Sequence, residues 1–592
     1  MRQDGDPLRL NGAMQVKDRD AGSWWLSWGK TKPTTQEPVW QDQHVALYCA
    51  TERLDAPARA GRATAATPLG PYFCATGQYV LLGDLSLDPP SSFSGRLDLD
   101  PLDTRQNSLE RIIERWRTDG LETLRSLRGG FGLVIIDRWQ QRLWMIRDPV
   151  GINTLYYTRA GSQRWIAPQL RLLAPYRSNA LDEIALRDYL CCAFVPGERT
   201  MWSDIRELRP GMARCLPEDS CAMFFDLKEQ IIAADQPLEW HGERLGKCLV
   251  EVVAESLPHE DPVGVYLSGG LDSSCITAIL SHLHPKPVHT FSLHFGHELP
   301  NELSFADLLA SHCQTQHHVL MISMRDLWRE LPATMAELDD PIGDPLTVPN
   351  LLLGRLAKQY VDVIFNGEGG DPCFGGPKNQ PMLMHRLYQP VNNRTTLQAF
   401  LSSFQKCATD LPRLLNADLW RRVQDQPSVF ADDLAAASSY LNRLMTLNIK
   451  YKGADHILTK VSNLTRAARL RACSPLFDRR IVEMSMQIPP HYKVSGPAEK
   501  IVLKNATARY LPHAILERPK SGMMVPVQLG FHQHWHRQAK RLLLDRRAAI
   551  SGILAMDLIQ DWLNYTGDSW NRYGVKLWLL CSLEYWLKAN RL

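Results

Sequence analysis

Two hydrophobic rhythms divide the chain. Up to about residue 225, short apolar runs are separated by polar turns. They include Gln78-Tyr79-Val80-Leu81-Leu82-Gly83-Asp84, Phe131-Gly132-Leu133-Val134-Ile135-Ile136-Asp137 and Leu143-Trp144-Met145-Ile146-Arg147-Asp148, followed by Leu155-Tyr156-Tyr157 and Trp165-Ile166-Ala167. Apolar runs joined by short polar segments predict paired strands. A helix is expected over 108–116. Residues 1–60 read as irregular, with Trp24, Trp25, Trp28 and Trp40 scattered among polar positions. The front of the chain is therefore expected to be β-rich, with helices outside.

A polar stretch over 226–239 marks the expected linker. Behind it the rhythm changes. Helical patterns over 242–256, 273–283, 303–312 and 348–359 alternate with apolar runs over 263–267, 289–295, 319–322 and 361–365. Strands alternating with helices predict a parallel sheet covered on both faces. Beyond about residue 380 helix is expected to the end, with Trp570, Trp578 and Trp586 at two-turn spacing reading as core packing.

Composition bounds the rest. A chain of 592 residues implies about two to four domains. With 67 basic and 64 acidic residues the net charge is +3, which gives no global argument for nucleic acid or membrane surfaces. No apolar run reaches the roughly 18 residues of a membrane span, and no signal core opens the chain, so a soluble cytoplasmic protein is expected. Thirteen cysteines without a CxxC pair read as ordinary thiols rather than a zinc site.

The chemistry concentrates in two loops. Ser268-Gly269-Gly270-Leu271-Asp272-Ser273-Ser274 lies between the apolar run ending at Leu267 and a helical pattern. Small residues let backbone N–H groups approach an anion, and the helix start adds partial positive charge. Asp272 supplies a hard oxygen for Mg²⁺. The loop lacks the Lys-Ser/Thr ending of a Walker loop and resembles the SGGxDS loop of the N-type ATP pyrophosphatases. The second loop, Asn366-Gly367-Glu368-Gly369-Gly370-Asp371, also follows an apolar run. Asp371 is a second candidate Mg²⁺ carboxylate, and Glu368 a candidate base for a nucleophile.

On these residues the chain resembles the asparagine synthetase superfamily. His289-Thr290-Phe291-Ser292-Leu293 is similar to the family's adenine-lining strand, Ser474-Pro475-Leu476-Phe477-Asp478 to its VPFLD, Glu499-Lys500-Ile501-Val502-Leu503-Lys504 to its EKxxLR, and Arg518-Pro519-Lys520-Ser521-Gly522 to its RPKxG. In front, Leu127-Arg128-Gly129-Gly130-Phe131-Gly132 and Arg147-Asp148-Pro149-Val150-Gly151 resemble its glutaminase half. The resemblance implies an α/β protein of two parts. Residues 1–230 would form a degenerate glutaminase-like αββα sandwich of the N-terminal-nucleophile hydrolase type. Residues 240–592 would form an adenine-nucleotide α-hydrolase-like parallel sheet of the ATP-pyrophosphatase type, with a helical C-terminal part. It further implies that ATP sits on Leu267, Ser268, Gly269, Gly270, Leu271, Asp272, Ser273, Ser274, Leu293, Asn366 and Gly367. Mg²⁺ would be held by Asp272 and Asp371, and catalysis would fall to Lys500 and Glu368.

The departures narrow the reading. The family's glutaminase uses a cysteine at position 2; here residue 2 is Arg and the first cysteine is Cys49. The front half is therefore expected to be a scaffold without glutaminase activity. In the VPFLD region an acid has become Arg471 and an arginine Cys473, and Pro372 replaces an acid, which argues against free aspartate as substrate. Among branches without glutaminase, the β-lactam synthetases carry Tyr near the place of Glu368. The resemblance is thus taken to the lasso-peptide cyclases, which adenylate an Asp or Glu side chain of a precursor peptide and close a macrolactam on its N-terminal amine. Expected partners are that peptide, a leader-peptide protease and a leader-recognition protein, with no nucleic acid and no membrane span. Alternatives are an ammonia-dependent asparagine synthetase or other small-molecule ligase, and an inactive scaffold.

Overall fold

Strands buried on both faces dominate the front of the chain, and their sequences show why. The computed structural model describes residues 24–29, 38, 40–41, 44–49, 69–74, 76–86, 105–258, 261–296, 298–376, 379–388, 393–518, 524–565 and 572–591. Along Gly130–Asp137, Val134 and Ile136 point into a core between two sheets, while Phe131, Leu133 and Ile135 point to the other face. That other face is covered by the helix Arg105–Asp119, whose Leu109, Ile112, Ile113 and Trp116 form one apolar stripe. Period-two strands with apolar residues on both faces read as continuous apolar runs, which is why these segments are so plain in the sequence.

Two antiparallel six-stranded sheets result. One runs in the order Ile205–Glu207, Tyr156–Ala160, Gln163–Ala167, Trp24–Trp28, Val45–Cys49, Trp40–Gln41. The other runs Ser220–Met223, Met212–Leu216, Arg142–Arg147, Gly130–Asp137, Tyr79–Ser86, Leu69–Phe73. The irregular reading of residues 1–60 is corrected here. Trp24, Leu26 and Trp28 face the inter-sheet core, and Trp25 stacks on Tyr48 on the opposite face at 5.6 Å. Trp24, Trp25 and Trp28, which looked scattered, lie on the two faces of one doubly buried strand, and Trp40 lies in the short strand Trp40–Gln41. The helix expected over 108–116 extends from Arg105 to Asp119.

The second half holds a five-stranded, wholly parallel sheet in the order Gln316–Met321, His289–His294, Val263–Tyr266, Val363–Phe365, Arg471–Cys473. The α/β class expected from the alternation is observed. The last strand lies inside the stretch expected to be helical, because three residues are too few to show a period. The first helix starts at Leu238, inside the expected linker. The linker itself is pinned: Gln230 and Ile232 donate backbone hydrogen bonds to Met486 and Gln487.

The two halves share one apolar core. Tyr189, on the helix Glu183–Cys192, donates its hydroxyl to the Leu579 carbonyl at 2.9 Å, and Trp202 lies 5.4 Å from Trp586. Trp578 and Trp586 are fully buried in the helix Tyr573–Asn590; Trp570 lies outside the described residues. Arg466 is half-buried and pairs with the buried Asp339 at 3.2 Å. Among the described residues, no helix is long and apolar enough to cross a membrane.

Candidate active site

The first loop follows the strand Val263–Tyr266 and the second follows Val363–Phe365, and these strands are paired, Val265 opposite Phe365. From Val263–Tyr266 the chain builds the sheet outward through His289–His294 and Gln316–Met321. It then returns to add Val363–Phe365 on the other side. The loops therefore meet at the switch point, where open α/β sheets bind ligands.

Two glycines let the loops touch. A Cβ on Gly367 would lie 2.4 Å from the Ser273 nitrogen and 2.5 Å from the Asp272 carbonyl carbon; one on Gly370 would lie 2.2 Å from the Asp272 carboxyl. At Gly367 the obstacle is backbone and only hydrogen fits; at Gly370 it is the Asp272 carboxyl, which a side chain there would displace from Lys500.

The first loop is self-tied. The Ser268 N–H donates to Ser273 Oγ at 3.2 Å, Ser273 Oγ donates to the Gly270 carbonyl at 3.1 Å, and the Gly270 N–H donates to Ser268 Oγ at 3.3 Å. Leu267 anchors it behind, donating to the Phe291 carbonyl and accepting from Ser292 Oγ at 2.5 Å. Leu267 and Leu293 are buried. The helix Leu271–Leu283 opens at Gly270 without a side-chain cap, so its first N–H groups remain for an anion. Ser274 is fully buried, on the inward side of that helix.

Lys500 arrives from another direction. The hairpin Val494–Ser495 with Ala498–Glu499 ends at Lys500, whose backbone takes the left-handed conformation at φ 54° and opens the helix Ile501–Thr507. Its ammonium lies 2.6 Å from Asp371 Oδ1 and donates a hydrogen bond to Asp272 Oδ2. Burial alone would lower its pKa, but Asp272 and Asp371 together outweigh burial and raise it. The lysine and both aspartates thus converge, although they stand 228 positions apart between Asp272 and Lys500.

Glu368 is set apart from this triad. Its N–H donates to Asn366 Oδ1 at 3.0 Å, and Asn366 Nδ2 donates to Ser474 Oγ at 2.9 Å. The Asn366 N–H donates to the Cys473 carbonyl, so the strand Arg471–Cys473 holds the second loop in place.

The structure adds residues that were not singled out as site residues from the sequence. Arg518 donates to the Gly269 carbonyl at 2.6 Å and to Glu302 Oε1 at 2.5 Å, and lies over the Phe305 ring at 4.2 Å. It braces the turn of the first loop, and its place at the head of the RPKSG motif was the available signal. Pro519 to Gly522, the rest of that motif, lie outside the described residues. Lys460 was also missed, because a lysine in a helical pattern reads as a surface residue.

The carboxylates suit a hard cation. Asp272 Oδ1 is buried and has no hydrogen-bond partner, while Asp272 Oδ2 and Asp371 Oδ1 are brought together on the Lys500 ammonium. Two convergent carboxylates, completed by phosphate and water oxygens, are a usual donor set for Mg²⁺.

The family models agree with the division into two parts. Residues 244–588 match the family model "Asparagine synthase", and residues 102–223 match "Glutamine amidotransferase domain". The chain is 24% identical over 517 residues to asparagine synthetase [glutamine-hydrolyzing] 1 of Bacillus subtilis, covering 81% of this chain and 80% of that protein. It is 25% identical over 476 residues to a putative asparagine synthetase of Mycobacterium tuberculosis, covering 73% and 72% respectively. Among solved structures it is similar to NMN synthetase from Francisella tularensis, at 15% identity and TM-score 0.18, covering 40% of this chain and 98% of that one. With the family model spanning more than half of its length, the chain belongs to the asparagine synthase family and is an ATP-dependent, AMP-forming amide ligase of the asparagine synthetase type.

Proposed function

We propose that the chain joins a carboxyl group to an amine carried by the same peptide, closing a macrolactam as the lasso-peptide cyclases do. Residues 1–230 would serve as a scaffold and residues 240–592 as the ligase. The observation that carries this reading is the strand Arg471–Cys473. It is paired with Val363–Phe365, Phe365 beside Cys473, and tied to Asn366 of the second loop. Its Arg471 and Cys473 replace the acid and arginine that the resemblance places beside a free amino-acid substrate. The front half also offers no activated thiol among its described buried cysteines: burial pushes the Cys191 and Cys215 thiols up to about 12. The amine is then supplied by the substrate or by free ammonia.

In this reading the pyrophosphate of ATP lies over Ser268 to Ser273 and the adenine against Leu293 and Leu267. Mg²⁺ held by Asp272 and Asp371 would neutralise charge on the departing pyrophosphate. The substrate carboxylate attacks the α-phosphorus, pyrophosphate leaves, and the acyl-adenylate is formed. Lys500, fixed between its two aspartates, stabilises charge that grows on the phosphate and on the carbonyl oxygen. Glu368 takes the proton of the attacking amine. Holding both ends of one peptide makes the second step intramolecular, which supplies roughly 7–11 kcal/mol where orientation is good. The expected partners are the precursor peptide, its leader protease and a leader-recognition protein.

A second reading is favoured by the relatives, which are named asparagine synthetases over most of their length. There the acid is aspartate and the nitrogen donor free ammonia. Mass spectrometry of two Mg-ATP reactions separates the readings, one with aspartate and ammonium, the other with the precursor peptide and its protease. Loss of one water from the peptide with accumulation of AMP is expected. Asparagine in the first tube, with an unchanged peptide in the second, would overturn the cyclase reading.

A further inference from the structure

A rare helical form lies where the two halves meet. The stretches Tyr440–Leu447, Asn448–Leu458 and Thr459–Ala467 follow one another without a break, and the middle one is π-helical over 11 residues. π-Helix is mostly confined to single turns and is frequent at functional sites. Both flanking stretches are α-helical, so the middle one needs something to hold it in its own form. Arg209 of the front half is placed to do this. It donates to the Lys450 carbonyl at 2.8 Å and to Asp455 Oδ1 at 2.6 Å, two positions five apart. In a π-helix each carbonyl is directed at the N–H five positions on, so the Lys450 carbonyl and Asp455 stand within reach of one guanidinium. With α bonding that carbonyl would be directed at Ala454, and positions five apart would point about 140° away from each other.

The grip is fixed from the front half and felt at the second loop. Arg209 also donates to the Gly197 carbonyl at 3.0 Å, and the Gly197 N–H donates to Asp455 Oδ2 at 2.8 Å. His456 stacks on Phe194 at 5.2 Å, with ring planes 8° apart. At the start of the π-helical segment, Asn448 Nδ2 donates to Asn379 Oδ1 at 3.1 Å. The Asn379 N–H donates to the Gly376 carbonyl at 3.0 Å, and the Gly375 N–H to the Asp371 carbonyl at 3.1 Å. Gly376 lies against the Asp371 carboxyl: a Cβ there would stand 2.6 Å from Oδ1, the oxygen that Lys500 meets. Val150 of the front half, Ile449 and Ile457 of the segment, and Cys373 and Phe374 beside Asp371 belong to one apolar core. Each link from Arg209 to Asp371 is thus a hydrogen bond or a packed contact.

We propose that Arg209 is a positioning residue for the ATP site: by holding Asn448–Leu458 in its π-helical register, it keeps Asn448 on Asn379 and the Asp371 carboxylate in place. This rests on the reading of Asp371 as a carboxylate that holds Mg²⁺, and it gives the front half a task beyond that of a scaffold. A return of the segment to α bonding would turn Asn448 relative to Thr459–Ala467 and part it from Asn379. The second loop would then lose its support on that side. The first loop is tied to itself and to Arg518, so Asp272 keeps its place. The effect therefore falls on one of the two carboxylates.

The test uses full-length protein and two readouts that need no acid substrate: hydrogen exchange by mass spectrometry, and calorimetric titration with ATP over a range of Mg²⁺ concentrations. In Arg209→Met, amides of 371–376 and 448–458 are expected to exchange faster while those of 268–274 do not change. The Mg²⁺ concentration for half-maximal ATP binding should rise about tenfold, the scale of coupling carried through packed networks. Because Arg209→Met leaves Asp455 buried without its cation, Arg209→Lys is measured beside it. It keeps the ion pair but cannot reach the Lys450 carbonyl as well, and should show a smaller shift of the same kind. Asn448→Ala cuts the far end of the relay, and its effect should not add to that of Arg209→Met. Strict additivity would overturn the relay. Equal loosening of 268–274 and 371–376 in Arg209→Met and Arg209→Lys would make Arg209 merely structural and overturn the proposal, as would unchanged exchange at 371–376 in the folded variants. Asp371→Asn separates the underlying reading. If it leaves the Mg²⁺ dependence intact, Asp371 does not hold the metal and the proposed effect on Mg²⁺ falls with that reading. If Asp371→Asn shifts the dependence while Arg209→Met does not, only the role of Arg209 is overturned.

Discussion

The Lys500 ammonium lies 2.6 Å from Asp371 Oδ1 and is delivered by a residue whose backbone is left-handed, at φ 54°. A non-glycine residue in that region costs on the order of 1–3 kcal/mol and persists only where the surroundings impose it. Here the preceding hairpin and the Ile501 N–H bonded to the Lys493 carbonyl impose it. The arrangement places a fixed cation where negative charge would grow. Lys500→Met should therefore lower pyrophosphate release by about 100-fold or more, in the range seen when one preorganised donor is removed. A parallel thermal melt separates lost chemistry from lost fold. Near-normal release from the folded variant would remove Lys500 from the mechanism.

The close approach of the two loops makes a second prediction. Gly367→Ala would put a methyl 2.4 Å from the Ser273 nitrogen, which is backbone and cannot rotate away. One loop must then move. Overpacking of this kind costs typically about 1–3 kcal/mol, so a lower Tm is expected. The displaced Ser268 to Ser273 turn should also bind ATP more weakly, which calorimetric titration with ATP would read. An unchanged affinity would mean that the loops move apart without harm, and that their contact does not shape the nucleotide site.

Much of the candidate site was legible in the sequence, and the reason is physical. Phosphate loops are contiguous: a strand, a run of small residues and a helix start must be neighbours in sequence to work. Ser268 to Ser274 and Asn366 to Asp371 could therefore be read directly. The doubly buried strand Gly130–Asp137 was legible because burial on both faces leaves one unbroken apolar run. What stayed hidden depends on distant pairing. Arg471–Cys473 is a strand only because Val363–Phe365 lies beside it. Lys460 and Arg518 are buried because acids from elsewhere, Asp344 and Glu302, meet them. Trp24–Trp28 escaped notice because its partners, Val45–Cys49 and Gln163–Ala167, follow only after long gaps.

The brace at Arg518 gives a third prediction. Its guanidinium is almost wholly buried against Glu302, itself largely buried, and it also bonds the Gly269 carbonyl. Breaking one side of a buried pair leaves the other charge uncompensated, at about 3–5 kcal/mol. Arg518→Ala and Glu302→Ala should each lower stability and raise the KM for ATP. The double variant should cost less than the sum, because the second change removes the charge that the first left stranded. Strict additivity in urea unfolding would show that the two side chains act independently and that the brace runs through Gly269 alone.

Lys493 offers a stability test across pH. It is fully buried, donates to Met445 Sδ at 3.6 Å and to Asn442 Oδ1, and forms no salt bridge among the described residues. Burial pushes its pKa down from 10.5 to about 7, against weaker support from Cys373 and Glu229. The sign follows from linkage. The folded state resists a proton that the unfolded chain accepts readily, so at pH above 10.5 Lys493 carries no penalty. As pH falls from 10.5 toward 7 the penalty grows, at about 1.4 kcal/mol per pH unit. Below the folded pKa both states are protonated and the loss is complete. Wild-type stability should therefore gain from Lys493 as pH rises from 7 to 9.5. Lys493→Met, which fills the same space without a charge, should remove that gain and be the more stable protein at pH 7. Urea unfolding of both proteins at pH 7, 8 and 9.5 measures the difference directly. Parallel stability curves would mean that Lys493 stays charged when folded, with Asn442 and the nearby Glu229 sufficient to hold the ammonium.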